Sequence, residues 1–261
     1  MKNALRIVVE LSKIRIAVMA TATALMGYVL AARGLSVEAL LPLAGVFLLA
    51  CAAGALNQAQ EPGIDARMDR TRNRPIPSGR IDVPGAVAIA LLLLAAGLLC
   101  LSGSREAMAL GVLTVAWYNG VYTYLKRTSP FAAIPGGVVG ALPPVIGWVA
   151  AGGELFDPRI GVIAIFFFVW QVPHFWLLLM RIGPEYEKAG LPTLTSLLNR
   201  RQLASVTWVW MVATGVACMV IPLLLAPGLW VYATLFAASA WMVWGATRML
   251  RSNTTRRRTD N

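Results

Sequence analysis

The 261-residue chain is 58% hydrophobic and only 13% charged, with a mean hydropathy of +0.67, a balance that excludes a soluble globular domain. A net charge of +11 and a pI near 10.3 would by themselves suit a nucleic-acid binder, but the basic residues are confined to a few loops, which excludes that reading. Cys51, Cys100 and Cys218 stand singly inside apolar runs, without metal-site or disulfide spacing, and read as small packing residues.

A hydrocarbon core of about 30 Å takes roughly 20 apolar residues per helix. Runs of that kind predict eight spans, at 14–32, 39–57, 83–102, 107–124, 131–151, 159–180, 205–225 and 230–248. The first is too long for a signal-peptide core and lacks a small-residue cleavage site, so it is expected to be retained. No strand-like alternation interrupts the series, and lipid forbids open sheet edges. The expected fold is all-α: a polytopic transmembrane helical bundle forming one domain over 1–250, then a basic, disordered tail over 251–261.

With the N-terminus inside, every Lys and Arg except Arg33, Arg105 and Arg159 falls in an inner segment. That bias places both termini and the polar loops on the cytoplasmic face and gives the bundle a polar cytoplasmic cap. The fullest inner loop is NQAQEPGIDARMDRTRNRPIPSGR, Asn57 to Arg80. Asn57, Glu61, Asp65 and Asp69 recur every fourth residue there, interleaved with Arg67, Arg70, Arg72, Arg74 and Arg80. Asn57 and Glu61 share a helix face, while Pro62-Gly63 break the helix and return Asp65 by a turn. Carboxylates hold Mg²⁺, Mg²⁺ holds a diphosphate, and arginines neutralise the remaining phosphate charge. A set of helix caps and solvated charges explains so dense a pattern poorly, so the loop is expected to be a diphosphate site. Two further inner segments are expected to converge on it: YTYLKRTS, with Lys126 and Arg127, and MRIGPEYEKAGLPTL, with Glu185 and Glu187.

The spacing Asn57-x-x-x-Glu61-x-x-x-Asp65 resembles the signature of the UbiA-type intramembrane prenyltransferases. IDARMDRTRNRPIPSGRI, YTYLKRTSPFAAIPGGVVGALPPVIGW and WQVPHFWLLLMRIGPEYEKAGLPTL resemble, in order, the hallmark blocks of its haem-using branch, the protoheme IX farnesyltransferases or haem O synthases. The resemblance covers roughly residues 50–200. It implies transfer of the farnesyl group of farnesyl diphosphate to a vinyl group of haem b, with addition of water, in a helical bundle of a bacterial plasma membrane. It implies Asn57, Glu61, Asp65 and Glu185 as catalytic residues, with Glu61, Asp65 and Glu185 as ligands of Mg²⁺. Arg67, Arg72, Arg74, Lys126 and Arg127 would bind diphosphate, and haem A synthase or terminal oxidase assembly factors are candidate partners. The chain departs from the family pattern at Glu61, where Asp is usual, at Pro62-Gly63, which replace a charged pair, and at Pro184, where an acid is frequent. It also counts eight spans where the family has nine.

His174 is the only histidine and falls inside an apolar span beside Pro173. Its alternatives are a neutral imidazole bonded to a carbonyl freed by Pro173, or a haem contact. The rival functions are a related prenyltransferase acting on an aromatic or quinone precursor, a non-catalytic haem or prenyl-diphosphate binder, and a transporter or assembly factor. The last requires polar residues at mid-membrane depth across several spans, whereas here they cluster at one face.

Overall fold

The computed structural model describes residues 2–225 and 228–259. Among these no strand forms, and the chain runs through helices α1 (Lys2–Leu11), α2 (Ile14–Ala32), α3 (Leu40–Gln60), α4 (Pro62–Arg67), α5 (Val83–Cys100) and α6 (Arg105–Ala116). A π-helical segment, Trp117–Tyr122, leads into α7 (Thr123–Leu125), followed by α8 (Ala133–Ala150), α9 (Pro158–Lys188), α10 (Leu194–Leu197), α11 (Arg200–Leu225) and α12 (Leu229–Thr259). Long apolar helices are the one way such a chain can satisfy its backbone in lipid.

Seven of these helices are long and apolar enough to cross a membrane. The remaining expected span, 107–124, is helical from Arg105 to Leu125, but the π-helical segment divides it into pieces. A π-bulge adds a residue to one turn and re-aims the side chains that follow. α12 carries a helical backbone on to Thr259, and residues 260–261 of the expected tail lie outside the described residues. Once a helix is nucleated, each added residue costs little.

The spans alternate in direction. At one end Lys13, before α2, meets Asn57 of α3, and Gln60 of α3 meets Asn119 after α6. At the other end Arg33 and Arg159 line one cleft with Trp148, and Ser104 bonds the Val149 carbonyl. The three basic residues expected outside are thus kept away from the polar loops. The core of the bundle is formed by Leu49, Leu101, Ile146, Trp148, Ile160 and Ile163. Leu41, Leu92, Leu99, Leu223 and Phe236 are exposed, as in a protein whose outer solvent is hydrocarbon.

Small residues let α2 and α8 cross at near backbone contact. A Cβ on Gly27 would lie 1.9 Å from the Pro144 carbonyl oxygen, and one on Gly147 would lie 1.9 Å from that of Ala24. Neither obstacle is a side chain that can swing away. Gly27→Ala and Gly147→Ala are each expected to cost about 3 kcal/mol, the upper end of overpacking penalties. Gly103→Ala, with nothing within 4 Å, should leave the melting temperature in detergent unchanged.

α9 is the element that positions the second polar segment. At 1.5 Å per residue its 31 residues span about 46 Å, well beyond a hydrocarbon core of about 30 Å. The sequence expectation ended this span near residue 180. Instead the helix continues through Pro184 and lifts Glu185, Tyr186 and Glu187 into the cap as helical residues.

Candidate functional site

The polar loop folds where the sequence breaks its helix. α3 ends at Gln60, Glu61 adopts a non-helical backbone, and Pro62 at the first position of α4 restarts the helix with its φ already set. Asp65 therefore sits on a short helix, its N–H donating to the Glu61 carbonyl at 2.9 Å, and not on a free turn. Asn57, Glu61 and Asp65 are 2%, 5% and 2% exposed, so this part of the acidic pattern points inward. Asp69 alone stays exposed.

Each buried acid has a cation against it. Arg74 Nη1 donates to both oxygens of Asp65 at 2.8 Å. Lys126 Nζ donates to Glu61 Oε2 at 2.5 Å, and Arg127 Nε lies 3.5 Å from Glu61 Oε1. Asn57 Nδ2 donates to Glu61 Oε2 at 2.9 Å and to Thr123 Oγ1 at 3.1 Å. Lys13 Nζ donates to Asn57 Oδ1 at 2.5 Å. Burial pushes the Lys13 ammonium down to about 7, helped by the like charges of Arg74 and Lys126 and opposed by Asp65 and Glu61. Lys13 was not among the expected site residues, since a single lysine before a span reads as a topology anchor.

The segments converge as the sequence suggested. Lys188 Nζ lies 3.5 Å from Asp69 Oδ2, which also meets Arg72 at 3.4 Å. Arg67 approaches Gly190, and Tyr186 lies beside Arg70 and near Glu61 and Arg74. Arg67, Arg70 and Arg72 form an exposed rim, whereas Arg74, Lys126 and Arg127 form the inner ring. Arg80 turns away to Glu10 of α1 at 2.6 Å. Its hydrogen bond, with that of Arg6, holds the Glu10 carboxyl down at about 2. Glu187 is taken up by the Thr193 and Thr195 hydroxyls.

Among the described residues no three His, Cys, Asp or Glu side chains stand close enough to hold a metal ion together. The expected set of Glu61, Asp65 and Glu185 is thus separate carboxylate stations, two of them neutralised by cations. The donors nonetheless fit Mg²⁺, which takes one or two carboxylates and completes its shell with water and phosphate oxygens. Glu61 Oε1 and Glu185 Oε2 are both buried without a hydrogen-bond partner, Glu61 Oε1 with Arg127 at 3.5 Å, and a buried carboxylate oxygen left unbonded suits a cation.

A ladder of rings leads from this cap into the bundle. Tyr118 stacks on Tyr122 at 5.6 Å, Tyr122 on Phe175 at 6.2 Å, Phe175 lies 6.1 Å from His174, and His174 stacks on Trp170 at 4.9 Å. The π-helical segment supplies the first two rings, and Gly136 admits Tyr122, whose ring would lie 2.6 Å from a Cβ there. His174 is exposed and touches its neighbours through its ring face, with no hydrogen bond to a carbonyl near Pro173. Sequence spacing alone could not show that these aromatics share one wall.

The model of the UbiA prenyltransferase family matches residues 20–260. The chain belongs to the UbiA prenyltransferase family. It is 42% identical to a protoheme IX farnesyltransferase of Oleidesulfovibrio alaskensis over 84% of this chain and 78% of that one. Its fold resembles that in the structure titled for digeranylgeranylglyceryl phosphate synthase, with a TM-score of 0.79, 17% identity and coverage of 96% of this chain and 88% of that one. A UbiA homologue from Archaeoglobus fulgidus bound to GPP and Mg²⁺ superposes with a TM-score of 0.68 at 14% identity, over 96% of this chain and 88% of that one. As a UbiA family member the chain is a multi-pass membrane protein and an intramembrane prenyltransferase.

Proposed function

We propose that this UbiA family enzyme transfers the farnesyl group of farnesyl diphosphate to a vinyl group of haem b, with water, giving haem O. The observation that carries the reading is the cap itself. Buried Asn57, Glu61 and Asp65 are ringed by Arg74, Lys126 and Arg127 directly above a wall of stacked aromatics. Acids with an excess of cations suit a metal-bound diphosphate, and the rings suit its oily tail. The likeness to a protoheme IX farnesyltransferase supports haem b as the acceptor.

Glu61, Asp65 and Glu185 would hold Mg²⁺ as separate stations, one or two carboxylates to an ion, with Asn57 orienting Glu61. When bound, the ion supplies positive charge to the diphosphate as it departs. Arg74, Lys126 and Arg127 bind the inner phosphate oxygens, and Arg67 and Arg72 bind from the rim. These cations stabilise the charge that grows when the allylic C–O bond breaks and its electron pair leaves with diphosphate. Tyr118, Tyr122 and Phe175 present π-faces to the allylic cation and exclude water from it. The haem vinyl π-pair then forms the new C–C bond. Water captures the cation left beside the porphyrin and loses one proton, giving the hydroxyethylfarnesyl group. His174, stacked on Trp170 and open to its surroundings, is the candidate haem contact.

The positive-inside bias supports a cap on the cytoplasmic face, and the family resemblance supports a bacterial plasma membrane. A haem A synthase or a terminal oxidase assembly factor is the kind of partner that would receive the product. The test is mass spectrometry of haems from cells expressing the chain. A haem carrying an added farnesyl group and water is expected, and unmodified haem b alone would overturn the acceptor assignment.

A further inference from the structure

The joint between α1 and α2 is the feature of the cap that diphosphate binding does not explain. Lys13 adopts the left-handed conformation, φ 48° and ψ 49°. An L-residue holds that conformation where the surrounding structure imposes it. Here both sides are pinned. Ser12 N–H bonds the Val8 carbonyl at 3.0 Å, Ile16 N–H bonds the Lys13 carbonyl at 2.8 Å, and Gln58 Nε2 donates to the Glu10 and Leu11 carbonyls at 2.9 Å.

The reversal has one consequence for the side chain. A lysine beside a span ordinarily extends its ammonium toward headgroups, and exposed Arg15 remains available for that task. Lys13 turns inward and places Nζ 2.5 Å from Asn57 Oδ1. An ammonium only donates, so the oxygen of the Asn57 amide must face it and the NH₂ must face the other way. That NH₂ reaches Glu61 Oε2 and Thr123 Oγ1. Glu61 Oε2 is then shared by Asn57 and Lys126, while Oε1 is buried without a hydrogen bond, with the Arg127 guanidinium 3.5 Å away.

We infer that Lys13 is a positioning residue, acting through Asn57 to hold the Glu61 carboxylate with Oε1 free of hydrogen bonds, beside the Arg127 guanidinium. The inference rests on the reading of the cap as a Mg²⁺-diphosphate site. It deepens that reading by adding a residue from the N-terminal joint, outside the loops expected to form the site. Without the ammonium the Asn57 oxygen loses its charged partner, and the amide that donates to Glu61 and Thr123 is no longer anchored from its other side.

Lys13→Gly is the informative variant, because glycine accepts the left-handed backbone while the ammonium leaves with the rest of the side chain. Binding of farnesyl S-thiolodiphosphate, a slowly ionising analogue, is measured by calorimetry across a Mg²⁺ titration. Lys13→Gly should keep or raise the melting temperature, yet raise the half-saturating Mg²⁺ and weaken Mg²⁺-dependent analogue binding by about tenfold, the scale of one lost charge-assisted hydrogen bond. Lys13→Arg should recover most of that affinity, and the KM for haem b should stay as in the wild type. Gln58→Leu loosens the same joint without touching Asn57 and should lower the melting temperature alone. A Lys13→Gly protein with wild-type Mg²⁺ half-saturation, or a Gln58→Leu protein with the same Mg²⁺ defect, would overturn the inference. Product formation is read separately: a wild type that binds the analogue with Mg²⁺ but yields no farnesylated haem overturns the acceptor assignment while the binding assay still decides the role of Lys13.

Discussion

Asp65→Asn is expected to abolish haem farnesylation, lowering turnover on the order of a thousandfold, the scale seen when a preorganised charge partner is removed from a reacting centre. The substitution is nearly isosteric and leaves the Asp65 backbone links to Glu61 and Thr71 intact. It removes the charge that Arg74 grips at both oxygens. The side chain of Arg74 is 25% exposed and can recover part of its solvation, so the cost to the fold should stay near 1.5–3 kcal/mol, about that of a charged hydrogen bond. Turnover per folded molecule, measured beside a thermal melt, separates the two effects. A variant that melts early but turns over normally would return Asp65 to a purely structural role.

Lys126→Met should have the next largest effect. Lys126 follows the π-helical segment and α7, so its position depends on the added residue in that turn. Its ammonium sits on Glu61 Oε2 and is one of the cations available to a departing diphosphate. Losing it should lower kcat by about 10²–10³, with a smaller rise in the KM for farnesyl diphosphate, because the charge it meets is greatest in the transition state. Arg127, 3.5 Å from Glu61 Oε1, stays as a counter-charge and should preserve the fold. A raised KM with an unchanged kcat would place Lys126 in substrate capture alone.

The contrast between these residues and Lys13 shows where sequence reasoning ends. Apolar runs revealed the helices because lipid enforces their length, and only the span interrupted at Trp117–Tyr122 departed from a simple count. A π-bulge leaves no periodic signal, so its effect on Tyr118 and Tyr122 was invisible. The inner polar residues Asn57, Glu61 and Asp65 were legible from their four-residue spacing, although α3 ends at Gln60 and Asp65 is carried by α4, which restarts at Pro62. Which arginine answers which acid was not legible. Arg74 reaches Asp65 through the tight turns of Met68 to Arg74, and Arg80, equally basic, is drawn away to Glu10.

The length of α9 illustrates a second limit. Pro184 reads as a breaker, yet the helix passes through it, because proline removes one N–H and kinks a helix without always ending it. Glu185 thereby enters the cap from a helical turn, with one oxygen buried and unbonded. Lys13 lies beyond any spacing rule, because its partner Asn57 is 44 residues away and the contact depends on a left-handed joint.

The most direct measurement combines purified protein, farnesyl diphosphate and haem b in detergent, with and without a chelator of divalent cations, and reads the haem products by mass. Haem O should form with Mg²⁺ and disappear both on chelation and in Asp65→Asn. Farnesylated haem forming equally well after chelation would contradict a carboxylate-held Mg²⁺-diphosphate at this cap.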